Sequence, residues 1–410
     1  MVERYLINDI CDVGSSKRIY LAEYQESGVP FYRGKEIIEK DSNKEISNEL
    51  FISHERYNEI KEKFGVPEKG DILMTAVGTI GISWYVDESD FYFKDGNLIW
   101  FKNFKKDKIN SKYLYYIFKS KIFSEIIKNI SIGSTQKAIT IEQVKKIELE
   151  FPKIEIQNKI VKILDNITNK IRVNNEINND LFELLKSSFK SKFYNKKEKD
   201  SYLADFISGT IGGDWGKDNP EGNNNTKVYC VRGADIPNME YGNKGNAPIR
   251  YILEKNYKSK KLDPNNIIIE ISGGSPTQST GRTAYITQSI LDMYDSPLLC
   301  TNFCRAIETK DEILAPFVYM NLKLMYEDNI FFNWENGTTG IKNLALNDML
   351  SNIEVKNPDE DDLKEYDLLF NSVMNKISHN SNENIKLEQL RDTLLPKLIN
   401  GKIELENIEI

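Results

Sequence analysis

The same succession of segments occurs twice along this chain, so a fold that satisfies one copy must also satisfy the other. FYRGKEI at 31–37 is echoed by YCVRGADI at 229–236, which aligns Arg33-Gly34 with Arg232-Gly233. KGDILMTAVGTIGISWYV at 69–86 returns more loosely as NNIIIEISGGSPTQSTGRTAYI at 265–286. Each reads as an apolar strand, a loop of small and hydroxyl residues, and a second short strand. DGNLIWFK at 95–102 has a counterpart in CTNFCRAIE at 300–308. SIGSTQKAITIEQVKKIELEFP at 131–152 matches ENGTTGIKNLALNDMLSNIEVKNP at 335–358. From Pro152 and Pro358 the offset is a steady 206 residues, which pairs Ile147 with Ile353, Ile171 with Ile377, Leu181 with Leu387 and Leu184 with Leu390.

The repeat divides the chain into a first module over 1–151, a helix over 152–197, a second module over 198–357 and a second helix over 358–410. After Pro152, Ile160, Leu164, Ile167, Ile171, Leu181 and Leu185 recur at coiled-coil spacing. Asn174 and Asn178 interrupt that seam, where a polar residue fixes register at a cost in stability. The second copy carries Leu363, Phe370, Val373, Ile377, Leu387, Leu390, Leu394 and Leu398, loosened around Ser378–Asn382. At 1.5 Å per residue a helix of this kind spans roughly 58 Å. It is expected to exceed what its own small module can cover, so the two helices should pair with each other, antiparallel, and hold the modules apart. Within the modules, Tyr, Phe and Ile alternate with polar residues over 80–101 and 266–307, the period of short strands. One short helix is expected over 111–130 and an equivalent over 315–330. The fold class is therefore α/β: two mixed α/β modules, each followed by a long helix, related by an internal pseudo-twofold repeat.

Net charge is −7, which taken alone argues against nucleic acid. The charge is unevenly placed, however. Residues 102–146 hold eleven lysines against Asp107, Glu125 and Glu142, while acids cluster elsewhere, as in Asp359–Asp362. Such a stretch is either a phosphate-binding surface or a solvated helix face. No apolar run reaches the length of a membrane span, and the opening MVERYLINDI lacks a signal-peptide pattern, so a cytoplasmic protein is expected. Four cysteines in 410 residues are too few for a disulfide framework and lack zinc-ligand spacing.

Reaction machinery is not legible. IGGDWGKDNP at 211–220 fails as a phosphate loop, because Ile211 stands at the first glycine position and Asp218 follows Lys217. No G-x-G-x-x-G opens a helix, and Asn219-Pro220 is followed by Glu221-Gly222 with no aromatic to stack a flipped base. His54 and His379 are the only histidines, and neither has an evident acid–base or metal partner. No catalytic residue, cofactor site or metal site is assigned in this chain. The polar, Gly-flanked loops at 75–81, 133–137, 273–282 and 336–342 occupy matched positions in the two copies. They carry the hydroxyl, amide and cationic groups that read DNA base edges and phosphates.

In order and layout, several stretches together resemble the specificity subunit of Type I restriction–modification enzymes over essentially the whole chain. They are KGDILMTAVGTIG (69–81), GSTQKAITIEQVKKIELEFPKIEIQNKIVKIL (133–164), IGGDWGKDNPEG (211–222) with VRGADI (231–236), and LRDTLLPKLINGKIEL (390–405). The resemblance implies two target recognition domains, each reading half of a split, asymmetric site on double-stranded DNA, with the helices as spacers. It implies a non-catalytic subunit that docks two methyltransferase subunits and, through them, restriction subunits. S-adenosylmethionine, ATP and magnesium would then be bound by those partners, and acidic helix faces with the C-terminal segment would serve as docking surfaces. The DNA contacts expected are Thr75, Thr79, Ser134, Thr135, Gln136 and Lys137 in the first module. In the second they are Thr277, Gln278, Ser279, Arg282, Thr338 and Lys342, with Trp334 as an apolar contact. Arg33 and Arg232 either hold their module's own fold or touch DNA. A related modification-only or phage-defence subunit, and a non-DNA coiled-coil scaffold, are the alternatives.

Overall fold

The computed structural model describes residues 2–42, 46–87, 90–133, 137–275, 277–337 and 341–399. The chain forms two compact units, Met1–Asn169 with Glu388–Ile410, and Lys170–Leu387. Each therefore contains one module and a segment of both long helices.

In the first unit an antiparallel sheet runs in the order Asp12–Gly14, Leu98–Lys102, Ile72–Thr75, Ser83–Tyr85. Its central strand is apolar at successive positions because both faces are covered. Alternate side chains go to opposite cores. Ile72 and Met74 join Ile99 and Phe101 on one face, while Leu73 joins Leu98, Trp100 and Trp84 on the other. Trp100 ties the second face down by donating its indole N–H to buried Asp71 at 2.7 Å. A second sheet places Val29–Tyr32 parallel to Tyr92–Phe93 and antiparallel to Phe51–Ile52.

The second unit repeats this plan. Its sheet has the order Ile207–Gly212, Cys304–Thr309, Ile267–Glu270, Thr283–Tyr285. Ile267 and Ile269 face one core and Ile268 the other. Asn224–Val231 again runs parallel to one neighbour, Leu298–Cys300, and antiparallel to another, Ile249–Leu253. In both units the strand that opens the module is paired antiparallel with the strand that leads into a long helix. These pairs are Val2–Leu6 with Glu148–Pro152 and Ser201–Tyr202 with Glu354–Val355.

The single helix expected over 111–130 is two, Ser111–Phe118 and Lys121–Ile130. Ser120 makes the break by capping the second helix, its hydroxyl accepting from the Phe123 N–H at 3.2 Å. The second copy has no such cap, and Ala315–Glu327 is continuous.

The long helices run Ile154–Phe189 and Glu360–Ile399, the second passing through Pro396 without ending there. They pair antiparallel in each unit. In the first, Ile160 and Leu164 share a core with Leu395 and Leu398. In the second, Asn174 meets Asn384, Asn178 meets Asn380, and the Tyr366 hydroxyl donates to the Leu185 carbonyl. Two expectations are corrected here. The helices do not bury their stripes only against each other: Phe182, Phe189 and Phe193 pack with Phe317 and Tyr319 of the second module. Aromatic rings project far enough from the seam to enter a module core as well. Leu390, placed in the seam by its spacing, is 46 % exposed, as is its repeat mate Leu184 at 50 %. Phe182 and Leu185 take the inward positions in that turn.

Candidate functional site

In the first module the loop that follows Ile72–Thr75 folds back on Thr75. The Thr75 hydroxyl accepts from the Ile82 N–H at 3.0 Å, and the Thr75 carbonyl accepts from Gly81 at 2.8 Å. Thr75 is 1 % exposed, so its side chain closes the loop from inside. Gly78, at φ 78°, donates its N–H to the Lys137 carbonyl at 2.9 Å, and Val77 bridges Ala138. Two segments about 60 residues apart in sequence are thus joined, a pairing that local pattern cannot reveal. Thr79 and Lys137 are exposed on that join. Ser134, Thr135 and Gln136, expected beside them, lie outside the described residues.

The second module makes the same join with a small sheet. Ser272–Gly273 pairs with Lys342–Leu344, which pairs with Glu335–Asn336. Thr277 and Gln278 are exposed, and the Gln278 amide donates to the Tyr326 hydroxyl at 3.1 Å. Ser279 is buried. Arg282 grips Glu270 through Nε at 2.9 Å and a terminal nitrogen at 2.6 Å. Lys342 pairs with Glu335 at 2.8 Å and lies over the Phe332 ring at 4.8 Å. Glu335 also accepts the Thr280 N–H at 2.5 Å. Burial acts to raise the Glu335 pKa, but the hydrogen bonds from Lys342 and Thr280 outweigh it and hold the carboxyl below its ordinary value. Trp334 is half-buried against the module core, with its carbonyl accepting from Ala345 at 2.9 Å. Thr338 lies outside the described residues.

The two Arg-Gly turns are built alike. The Arg33 N–H donates to Glu36 at 2.7 Å and its guanidinium returns to the same carboxylate at 3.1 and 2.5 Å. The Arg232 N–H and guanidinium do the same to Asp235 at 2.9, 3.0 and 3.1 Å. An arginine fork suits this two-point grip on a carboxylate. Both guanidiniums are partly exposed, at 31 % and 41 %, over acids that are almost fully buried.

Strand register superposes Thr75 on Glu270, since they face Leu98 and Cys304 respectively. Each lies under its module's turn glycine. A Cβ on Gly34 would stand 3.9 Å from the Thr75 methyl, whereas one on Gly233 would stand 2.2 Å from Glu270 Oε1. The short Thr75 leaves a cleft of about 530 Å³ lined by Arg33, Lys35, Ile38, Thr79 and Asn97. In the second module the Glu270–Arg282 pair occupies the corresponding place.

Three side chains were not singled out as contacts from the sequence: Phe303 and Trp215, which are exposed, and Asn97, which is half-buried. Phe303 is 54 % exposed, and its carbonyl accepts from Ile271 and Ser272, so it stands at the same sheet end as the paired loops. Trp215 stacks beside the Arg250 guanidinium at 4.2 Å. Phe303, preceded by Thr301-Asn302 and followed by Cys304, reads in sequence as the start of a strand, and only the fold shows its side chain in solvent. Among the described residues no group of three or more His, Cys, Asp or Glu is placed to hold a metal, and no helix is long and apolar enough to cross a membrane. All four cysteines are free and buried.

Residues 2–183 match the model of the Type I restriction modification DNA specificity domain. Through this domain and the similarities that follow, the chain resembles Type I specificity subunits. Similarity to one such protein is end to end: the Type I restriction enzyme MjaIX specificity subunit of Methanocaldococcus jannaschii is 25% identical over 98% of this chain and 93% of its own length. S.HindORF215P of Haemophilus influenzae, named as a specificity subunit, is 33% identical over 169 residues, 40% of each chain, so this chain matches less than half of that relative. The S subunit of a Type I system from M. genitalium shares the fold, with a TM-score of 0.56 at 15% identity over 97% of this chain and 96% of that one.

Proposed function

We propose that this chain is a Type I specificity subunit that reads a bipartite, asymmetric site on double-stranded DNA, one half through each module, and catalyses no reaction itself. The observation that carries this reading is the matched join of two polar loops at the same sheet end in both modules, with different residues on each. A common frame with unlike loops suits two similar readers of unlike half-sites. In the first module Thr79 and Lys137 face DNA, joined by Ser134, Thr135 and Gln136, while Thr75 shapes the loop from within. In the second Thr277 and Gln278 face DNA, with Thr338, while Ser279, Arg282, Lys342 and Trp334 set the loop geometry. Arg33 and Arg232 anchor their turns and offer a partly exposed guanidinium edge to a phosphate. Two methyltransferase subunits, and restriction subunits through them, dock on the frame and bring S-adenosylmethionine, ATP and magnesium. Expression with a cognate methyltransferase in a methylation-free host should produce N6-methyladenine at one bipartite motif with two unlike halves. A modification-sensitive sequencing run that finds every adenine unmodified would defeat the proposal.

A further inference from the structure

Strand register gives the two modules one shared position at the sheet end where their loops meet. Thr75 faces Leu98 in the first sheet and Glu270 faces Cys304 in the second, so the residues one step earlier, Asn97 and Phe303, correspond. The backbone repeats the match. The Asn97 carbonyl accepts from Ala76 at 2.8 Å, and the Phe303 carbonyl accepts from Ile271 at 2.8 Å. Comparison of the strings alone would set Asn97 against Asn302, and the fold moves that pairing by one residue.

The shared position is furnished for opposite chemistry in the two copies. Asn97 is half-buried and lines the cleft of about 530 Å³ beside the first Arg-Gly turn, a recess left open by the short Thr75. Its side-chain amide holds a donor and an acceptor side by side, the pair that matches N6 and N7 of adenine in the major groove. Arg33 and Lys35 line the same cleft, with side chains 31 % and 59 % exposed, and suit the phosphates on either side of such a base. In the second module Glu270 and Arg282 fill the corresponding recess, and Phe303 stands 54 % exposed at its edge of the sheet. A single exposed phenylalanine is ordinary on a protein surface. This one takes the place where the other copy has an amide, and an apolar ring presented to a base edge matches the methyl group that marks thymine.

We propose that this position is a base-reading position in each module: Asn97 hydrogen-bonds an adenine edge admitted to the cleft, and Phe303 packs on a thymine methyl. The inference rests on the reading of DNA through both modules and deepens it. One difference at one shared position then makes the two half-sites unlike, while the surrounding sheet stays the same.

The full chain, expressed with a cognate methyltransferase in a methylation-free host, tests this by modification-sensitive sequencing. The parent should give one bipartite motif; a parent that gives none defeats the proposed function and this inference with it. Asn97→Ala should lower discrimination at one position of one half about tenfold or more, measured as methylation rates on duplexes that differ only there, and leave the other half unchanged. Asn97→Asp, which accepts but does not donate, should shift that position from adenine towards cytosine. Phe303→Ala should relax one position in the other half, and Phe303→Leu, which keeps an apolar contact, should retain most of the preference. Both residues hold their sheets through backbone carbonyls, so all four variants should keep the parent's urea midpoint. A parent motif that persists base for base in Asn97→Ala and Phe303→Ala overturns the inference and leaves the bipartite reading standing. So does a loss of methylation that is uniform across sequences at an unchanged urea midpoint, which would mark these residues as positioning the DNA and not as reading it.

Discussion

Thr75 and Glu270 hold one position in two copies of a module, and one choice opens a cleft while the other fills it with an ion pair. Glu270 is buried and depends on Arg282 for compensation. Arg282→Met should therefore leave an uncompensated charge and cost about 3 kcal/mol of unfolding free energy, measurable by urea denaturation. Adding Glu270→Gln should restore most of it; a double variant as weak as the single one would show that the ion pair is not the cause. Glu36 offers a pH test. Burial acts to raise its pKa, but the hydrogen bonds from Arg33 outweigh that, so the carboxyl titrates below its ordinary value. The folded state thus binds this proton less tightly than the unfolded chain does. Its contribution is present in full above the unfolded pKa of about 4.3 and is lost as pH falls through the lower folded value. Glu36→Gln should flatten the fall in urea midpoint below about pH 4. Parallel slopes for the parent and variant proteins would remove Glu36 from the account. That Arg33-Gly34 and Arg232-Gly233 matter was legible as a repeated string. That each arginine grips the acid three residues on was not, because Glu and Asp at that spacing also fit an ordinary helix start.

The long helices were the easiest elements to read and still held a surprise. Asn174 and Asn178 stand out in the sequence as breaks in an apolar seam. The structure pairs them with Asn384 and Asn380, whose repeat positions are those of Asn178 and Asn174, so the network maps onto itself when the copies are exchanged. Asn384 also donates to Asn175 at 2.8 Å, and Asn178 donates to Ser381 at 3.2 Å. Replacing Asn174 and Asn178 by Leu strands buried amides on the other helix, at a cost of about 1–3 kcal/mol for each amide left unpaired. Replacing all four by Leu should recover that stability and loosen the register, seen as cysteine crosslinks forming at positions one heptad apart. A quadruple variant that crosslinks only in the native register would show that packing alone sets the alignment. Leu390 shows the opposite limit. Its spacing is right for the seam, but spacing does not say that Leu395 and Leu398 will take the buried positions at that end of the helix and leave Leu390 46 % exposed.

For the whole molecule the proposed function turns on the helices as a ruler. Inserting four residues after Asn174, with a matching insertion just before Asn384 to keep the facing turns paired, lengthens the pair by about 6 Å. That corresponds to about two base pairs at 3.4 Å each. The methylated motif should keep both halves and widen its gap by about that amount. An unchanged gap would mean that something other than the helices sets the separation. Substituting Thr79 and Lys137 by Ala should relax one half of the motif and leave the other as it was; a change in both halves would contradict the assignment of one module to each.

The amino-acid order by itself determined the duplication, the long helices, the apolar strands and the resemblance to Type I specificity subunits, because these rest on periodicity and motifs within windows of a few dozen residues. The tertiary structure decided which loops meet, which cations are free to act and which are held by acids. Those outcomes depend on contacts between residues far apart in the chain. The join of Gly78 to Lys137 and of Ser272 to Asn343, the capture of Lys342 by Glu335 beneath Thr280, and the inward turn of Thr75 are set by strand register and packing. A repeat can show that two loops correspond. Only the folded backbone shows which of their side chains face solvent.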